Sequence, residues 1–123
     1  MDFPYEALKF RNIDGIAGLV VAIAQDAESG DVLMVAYTNL EGIRKSMETG
    51  IVHYYSTSKK KLWLKGETSG HFQKIRDVML DCDGDAILFR VEQTGGACHD
   101  GYRSCFYRKL KGGRLEIAGK KIK

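Results

Sequence analysis

The sequence predicts a mainly β domain of the α+β class: a bent sheet of hairpins carrying one clear helix, in a single small domain spanning residues 1–123. Three observations predict it. Short apolar runs rich in β-branched residues recur, separated by turn-forming segments. One stretch, 38–50, combines helical spacing of apolar residues with start and stop signals. The chain is 123 residues long, 44% hydrophobic and 28% charged, with one proline, which suits an ordinary globular domain. A domain of this size removes roughly two-thirds of its unfolded surface from water and needs no covalent staples.

Residues 19–25 (LVVAIAQ) and 32–37 (VLMVAY) read as strands, and the turn-prone segment 26–31 joins them into a hairpin. A helix follows. Thr38 and Glu41 have capping-box spacing, Leu40, Ile43 and Met47 fall on one face, and Gly50 stands where the helix should end. Strands return at 51–56 and, with a weaker pattern, at 62–65, amid polar stretches at 56–61 and 65–70. Segments 74–80 and 86–93 read as a further pair around the acidic turn 81–85. After Gly95 and Gly96 a loop, 97–104, leads into Cys105; a last weak strand, 114–118, precedes a basic tail that is expected to fray. No period repeats along the chain.

Nineteen basic and sixteen acidic side chains give a net charge of +3, too mild an excess to predict a nucleic-acid partner. The opening MDFPYEALKF lacks a continuous apolar core of the kind a signal peptide needs, and no apolar stretch approaches the ~20 residues that cross a bilayer. A cytoplasmic protein without a membrane partner is therefore expected. In a reducing compartment the three cysteines serve as buried small hydrophobes, redox groups or metal ligands.

Three thiolates suit zinc and leave a fourth position for water, whose pKa zinc lowers towards ~7. Six residues separate Cys98 from Cys105, wider than the tight knuckles of structural zinc modules, so spacing leaves metal binding and burial both open. Burial suits Cys105, beside Phe106 and Tyr107, better than Cys82, which sits between two aspartates. If 74–80 and 86–93 form a hairpin, Cys82 lies at its tip and Cys98 follows a strand that extends ~23 Å at ~3.3 Å per residue. Either the loop 94–104 doubles back, or Cys82 meets Cys98 and Cys105 of a second subunit; the second reading makes the site a property of a homodimer.

Asp81, Asp83 and Asp85 alternate, so an extended backbone projects them to one side. Such carboxylates repel one another unless a hard cation such as magnesium neutralises them, although solvated acidic turns are common. An EF-hand is excluded because its sixth position is Ala86 and its flanks read as strands. His99 either closes the zinc site as a fourth ligand or stays free as a general acid/base. His53 reads as packed or surface-exposed, and His71 is intermediate. In the stretch from Ser56 to Gly70, lysines and hydroxyls suit phosphate, Trp63 suits stacking on a base, and Glu67 suits hydrogen bonds from ribose hydroxyls or amines. The alternative is a solvated hairpin with Trp63 in the core, which is the reading adopted for Lys60 and Lys61.

Together these segments resemble the phosphoribosyl-AMP cyclohydrolases of histidine biosynthesis. The matching pieces are residues 24–27 (AQDA), 30–37 (GDVLMVAY), 49–50, 54–58 (YYSTS), 62–70 (LWLKGETSG), 81–85 (DCDGD), 96–101 (GACHDG) and 104–106 (SCF). They keep the family's order over about 19–108. Gly96 replaces the proline usual before Ala97, Thr57 stands for a frequent arginine, and Lys59 stands where arginine is common. A lysine there holds phosphate as a point charge rather than a fork. The chain looks like the family's single-function form, so no fused pyrophosphatase domain is expected.

The resemblance implies hydrolytic opening of the adenine ring of N1-(5-phosphoribosyl)-AMP, the third step of histidine biosynthesis, by a homodimer. It implies one zinc ion per subunit, held by Cys82 of one chain and Cys98 and Cys105 of the other, and magnesium on Asp81, Asp83 and Asp85. His99 is then the acid/base candidate, and Ser56, Ser58, Lys59, Trp63, Lys65, Glu67 and Ser69 are candidate contacts for the small nucleotide substrate. A zinc nucleoside or nucleotide deaminase is the competing enzyme, but its H-x-E and P-C-x-x-C pair is absent. A zinc-stabilised nucleic-acid-binding module would instead use the lysine run and four closed ligands.

Overall fold

The computed structural model describes residues 2–122. A 3-10 turn (Tyr5–Ala7) and a short strand, β1 (Arg11–Ile13), lead into β2 (Ile16–Asp26), the longest strand of the sheet. β2 pairs antiparallel with β3 (Val32–Thr38), from Val20 opposite Thr38 to Gln25 opposite Val32. On its other flank it runs parallel to β7 (Ala86–Gln93), from Val21 opposite Ala86 to Asp26 opposite Val91. β4 (His53–Ser56) and β5 (Lys61–Leu64) extend the sheet beyond β3, and β6 (Gln73–Leu80) extends it beyond β7. The order is β5-β4-β3-β2-β7-β6, with β1 also on β2.

The sheet curls into a half-barrel. The curl brings the start of β6 back to the segment before β4, although these lie far apart in the strand order. Val52 N–H donates to the Gln73 carbonyl at 3.1 Å, Ile75 N–H donates to the Gly50 carbonyl at 2.8 Å, and Ile51 bridges Lys74. Alternate residues of the central strands point inward: Val20, Ala22 and Ala24 on β2 and Ile87, Phe89 and Val91 on β7 are inaccessible to water. Helix α1 (Leu40–Thr49) closes this core with Ile43 and Met47, one turn apart, beside Leu33, Val52 and Tyr54. Full burial of each such large apolar side chain stabilises by ~1.5–3 kcal/mol.

The expected β2–β3 hairpin is present, and the strands read at 51–56 and 62–65 and at 74–80 and 86–93 also pair as hairpins. The helix also forms, and Gly50 ends it with φ 77°, a left-handed conformation that glycine takes without strain. Its start lies one residue later than the capping-box spacing indicates. Asn39 is the N-cap, accepting from Gly42 N–H at 2.8 Å, while the Thr38 hydroxyl donates to the His53 carbonyl at 3.1 Å and ties β3 to β4. Three features were not expected: β1, the parallel contact of β2 with β7, and β8 (Arg108–Lys111), which pairs with β9 (Arg114–Ile117). The basic tail is tied in rather than frayed up to Ile122. Lys121 bridges Tyr102, and Ile122 N–H donates to the Gly101 carbonyl at 2.7 Å.

One polar chain crosses the apolar interior. The buried Tyr54 hydroxyl donates to Gln73 Oε1 at 2.6 Å, and Gln73 Nε2 donates to Gln93 Oε1 at 2.8 Å. Both Tyr54 and Gln73 are inaccessible to water, so neither has a solvent substitute for its partner. Tyr54→Phe is expected to cost about 1–3 kcal/mol of unfolding free energy, because it leaves a buried amide oxygen unsatisfied. Urea denaturation checks this, and an unchanged midpoint would contradict it.

Candidate active site

The site begins where β3 stops pairing with β4. Tyr37 opposite Tyr55 is the register contact between those strands, near the far end of β3. At its near end the Leu33 carbonyl accepts from Cys105 N–H at 2.7 Å, and the Val32 carbonyl accepts from the Ser104 hydroxyl at 2.7 Å. The loop before them closes on itself: Ala97 N–H donates to the Arg103 carbonyl, Cys98 N–H to the Tyr102 carbonyl and Gly101 N–H to the Cys98 carbonyl. The closure is tight, since a Cβ built at Gly96 would lie 2.6 Å from the Tyr102 carbonyl oxygen.

Cys98 and Cys105 are thereby brought together. Cys98 is buried; Cys105 is exposed as a residue, but its thiol is partly desolvated and lies close enough to that of Cys98 for the two to interact. Desolvation, reinforced by the Cys98 thiol, pushes the Cys105 pKa up to about 11. Lys65, also buried, sends its ammonium to the Ala97 carbonyl at 2.5 Å and acts electrostatically on both thiols.

A cleft of about 620 Å³ opens beside this pair. Ser56 and Lys59 reach it from the β4–β5 turn, Trp63 from β5, Lys65, Glu67 and Ser69 from the following loop, and Cys98 and His99 from the cysteine loop. Six of the seven expected substrate contacts therefore share one wall system with Cys98 and His99. Ser58 is one step removed, its hydroxyl 3.2 Å from that of Ser56. Lys60 and Lys61 lie outside the lining, as the solvated reading of them expects. Trp63 combines both readings offered for it: it lines the cleft and packs on Tyr54 with ring centroids 5.2 Å apart. Gly66 has φ 92°, and a Cβ there would meet the backbone of His71 and Phe72 at 2.7 Å, so the tight loop after Lys65 needs glycine.

His99 is 94% exposed at its side chain, with Nε2 3.4 Å from Asp100 Oδ1. Tyr107 donates its hydroxyl to Asp100 Oδ2 at 2.9 Å and stacks on Tyr102 with centroids 3.8 Å apart. Sequence reasoning missed this support, and it left His71 undecided although that residue lines the cleft. It also missed the tether between Asp26 and Arg103. Asp26 is 6% exposed, accepts from Ser29 N–H at 3.0 Å, and meets Arg103 Nη2 at 3.3 Å, so the cysteine loop is pinned to the β2–β3 turn. No local pattern links residues so far apart; Asp26 alone carried a signal, as part of the AQDA segment.

Cys82 and the three aspartates lie elsewhere. They occupy the β6–β7 turn, at the opposite end of β7 from the cysteine loop, and eight residues of strand span ~26 Å. Among the described residues the only set of three or more metal-ligating groups with close donor atoms is Asp81, Asp83 and Asp85, within 4.8 Å of one another. Their hydrogen bond raises the Asp83 pKa and lowers that of Asp85, to which Arg11 also donates at 3.0 Å. The donor chemistry of both clusters fits the expected ions: soft sulfur for zinc at Cys98 and Cys105, hard oxygen for magnesium at the aspartates.

Fold and site together define a small enzyme with a cleft that lies beside a thiol pair and carries lysine, hydroxyl and carboxylate side chains. Residues 34–107 match the family model of phosphoribosyl-AMP cyclohydrolase. A protein of that name from Methanothermobacter thermautotrophicus is 58% identical over 117 residues, covering 94% of this chain and 84% of its own length. Relatives of the same name from Methanococcus maripaludis (57%, covering 94% and 89%) and Haloquadratum walsbyi (62%, covering 77% and 72%) agree. The chain belongs to the phosphoribosyl-AMP cyclohydrolase family.

The Asp26–Arg103 tether has a pH signature. Burial raises the Asp26 pKa, but the hydrogen bonds from Ser29 and the charge of Arg103 outweigh it and hold the carboxyl below its ordinary value. A depressed native pKa adds stability above the unfolded value of ~3.9, and that stability is lost as pH falls through the lower native value. Asp26→Asn is expected to cost about 2 kcal/mol at neutral pH, with the wild-type and variant stabilities converging below about pH 4. Urea unfolding across pH checks this, and a pH-independent difference would contradict it.

Proposed function

We propose that this chain hydrolyses N1-(5-phosphoribosyl)-AMP to the formimino-aminoimidazole carboxamide ribonucleotide, the third step of histidine biosynthesis, as a zinc-dependent homodimer of the cytoplasm. The observation that carries the reading is the single cleft holding Ser56, Lys59, Trp63, Lys65, Glu67 and Ser69 together with Cys98 and His99. Among the described residues no helix is long and apolar enough to cross a membrane.

Phosphoribosylation of the ring nitrogen makes the adjacent amidine carbon electrophilic. Cys98 and Cys105, with Cys82 of a second copy, would hold zinc, which when bound would supply a water of lowered pKa. Trp63 offers an indole face to the base, Lys59 with the Ser56 and Ser58 hydroxyls meets phosphate, and Glu67 accepts from ribose. The water oxygen bonds to the carbon, the carbon–nitrogen bond breaks, and His99 carries the proton to the departing nitrogen. The product gains one water. Asp81, Asp83 and Asp85 would hold magnesium, which would help to orient substrate phosphate.

Two surface features support a second copy. Every residue of β8 and β9 is exposed, including Leu110, Leu115 and Ile117, and a lone two-stranded hairpin is marginal in water. Val32 and Val35 on β3, Met79 at the end of β6 and Phe106 beside Cys105 are also exposed.

Incubation with N1-(5-phosphoribosyl)-AMP is expected to give a product heavier by one water, with turnover abolished by chelation and one zinc per chain. An inosine-like product with free ammonia would instead establish the deaminase reading. His99→Ala is expected to lower kcat by ~10²-fold or more with zinc retained; loss of zinc from that variant would make His99 a ligand.

A further inference from the structure

Lys65 is the one lysine or arginine among the described residues that is buried. Taking an ammonium out of water is costly unless something offsets its charge. Among the described residues no carboxylate lies within ion-pair distance of Lys65. What surrounds it is the cysteine loop. Its backbone N–H donates to the Val52 carbonyl at 3.1 Å, which fixes the root of the side chain just beyond β5. Its ammonium donates to the Ala97 carbonyl, immediately before Cys98, and both Cys98 and Cys105 feel its charge. The Trp63 ring covers another side, its centroid 5.7 Å from Nζ.

We infer that Lys65 is a positioning residue for the thiol pair: it fixes the backbone that presents Cys98 and supplies the positive charge that two thiolates need, instead of holding substrate phosphate. The inference rests on the zinc reading above. Three thiolates on a divalent ion leave one net negative charge, and a buried ammonium beside two of them offsets it. The geometry separates the two lysines of the cleft. Lys59 is exposed and free to meet an anion arriving from solvent, whereas Lys65 is 9% exposed and already bonded to the loop. The Lys-Gly pair has a local logic as well. Gly66 lets the chain turn against His71 and Phe72, so that Lys65 enters the interior while Glu67 and Ser69 return to the cleft.

The test compares wild type, Lys65→Met and Lys65→Arg by competition for zinc with a chromogenic chelator, then measures kcat and KM at saturating zinc. Lys65→Met keeps an unbranched side chain one atom shorter and removes the charge. It is expected to bind zinc ~10–100-fold more weakly, as loss of a residue that supports metal ligands does, with KM changed less than about threefold. Lys65→Arg is expected to restore most of the affinity. If Lys65→Met does not fold, Lys65→Gln, which keeps a donor towards Ala97 without charge, gives the same reading. Wild-type zinc affinity in Lys65→Met together with a raised KM would overturn the assignment and return Lys65 to the substrate. Equal losses in Lys65→Met and Lys65→Arg would also overturn it, since charge would then be irrelevant. A wild-type chain that binds no zinc would instead overturn the zinc reading, and this inference with it.

Discussion

The backbone hydrogen bond from Cys105 to the Leu33 carbonyl is made where the sheet leaves β3 without a β-strand neighbour. The sheet curls because β6 must reach back to residues 50–52, and curling separates the near end of β3 from β4. A backbone carbonyl left open inside a fold needs a donor, and the cysteine loop supplies one. The position of Cys105, and through the loop closure that of Cys98, is therefore a consequence of how the half-barrel closes. The cleft follows from the same event. Its two walls are the β4–β5 hairpin with the loop after it, and the cysteine loop that fills the opening beside them.

Charge then decides which groups face inward. Asp26 and Lys65 are the charged side chains that the described fold buries, and both act on the loop 97–105. One clamps Arg103 at the loop's far side, and the other takes the Ala97 carbonyl at its near side. A loop held at both ends can present thiols without much reorganisation, which a metal or substrate site built on a mobile loop cannot. His99 stands apart from this arrangement. It projects from the hydrogen-bonded loop into solvent beside the cleft, with Asp100 and Tyr107 next to it.

The parts of the fold legible in the sequence are those whose cause is local. β-Branched runs with alternating burial gave β2, β3, β6 and β7; Gly50, with its positive φ, ended the helix; the acidic turn marked the β6–β7 hairpin. Contacts between distant segments were not legible. Nothing local in Val21 or Ala86 says that they are parallel neighbours, or that Asp26 will find Arg103. β1 is three residues of mixed polarity, too short for a pattern. The β8–β9 hairpin did carry a signal, Gly112-Gly113 between alternating residues, which the surrounding charges obscured. In the site, the cleft-lining stretch 56–69 was readable because its residue types are chemically distinctive. The burial of Lys65 was not, because it depends on a glycine turn and on a carbonyl thirty-two residues away.

Cys82 and the Cys98–Cys105 pair lie at opposite ends of β7, so a single chain holds two incomplete donor sets. A zinc site with all three cysteines, as proposed here, would have to be assembled between chains. Complementation tests it most directly. Cys82→Ala and Cys98→Ala chains, each inactive alone, are mixed under conditions in which subunit exchange is verified by mass. Half of the dimers are then hybrids with one intact site of two, so recovery of up to about a quarter of wild-type activity is expected. Complete exchange with no recovery would contradict the shared site.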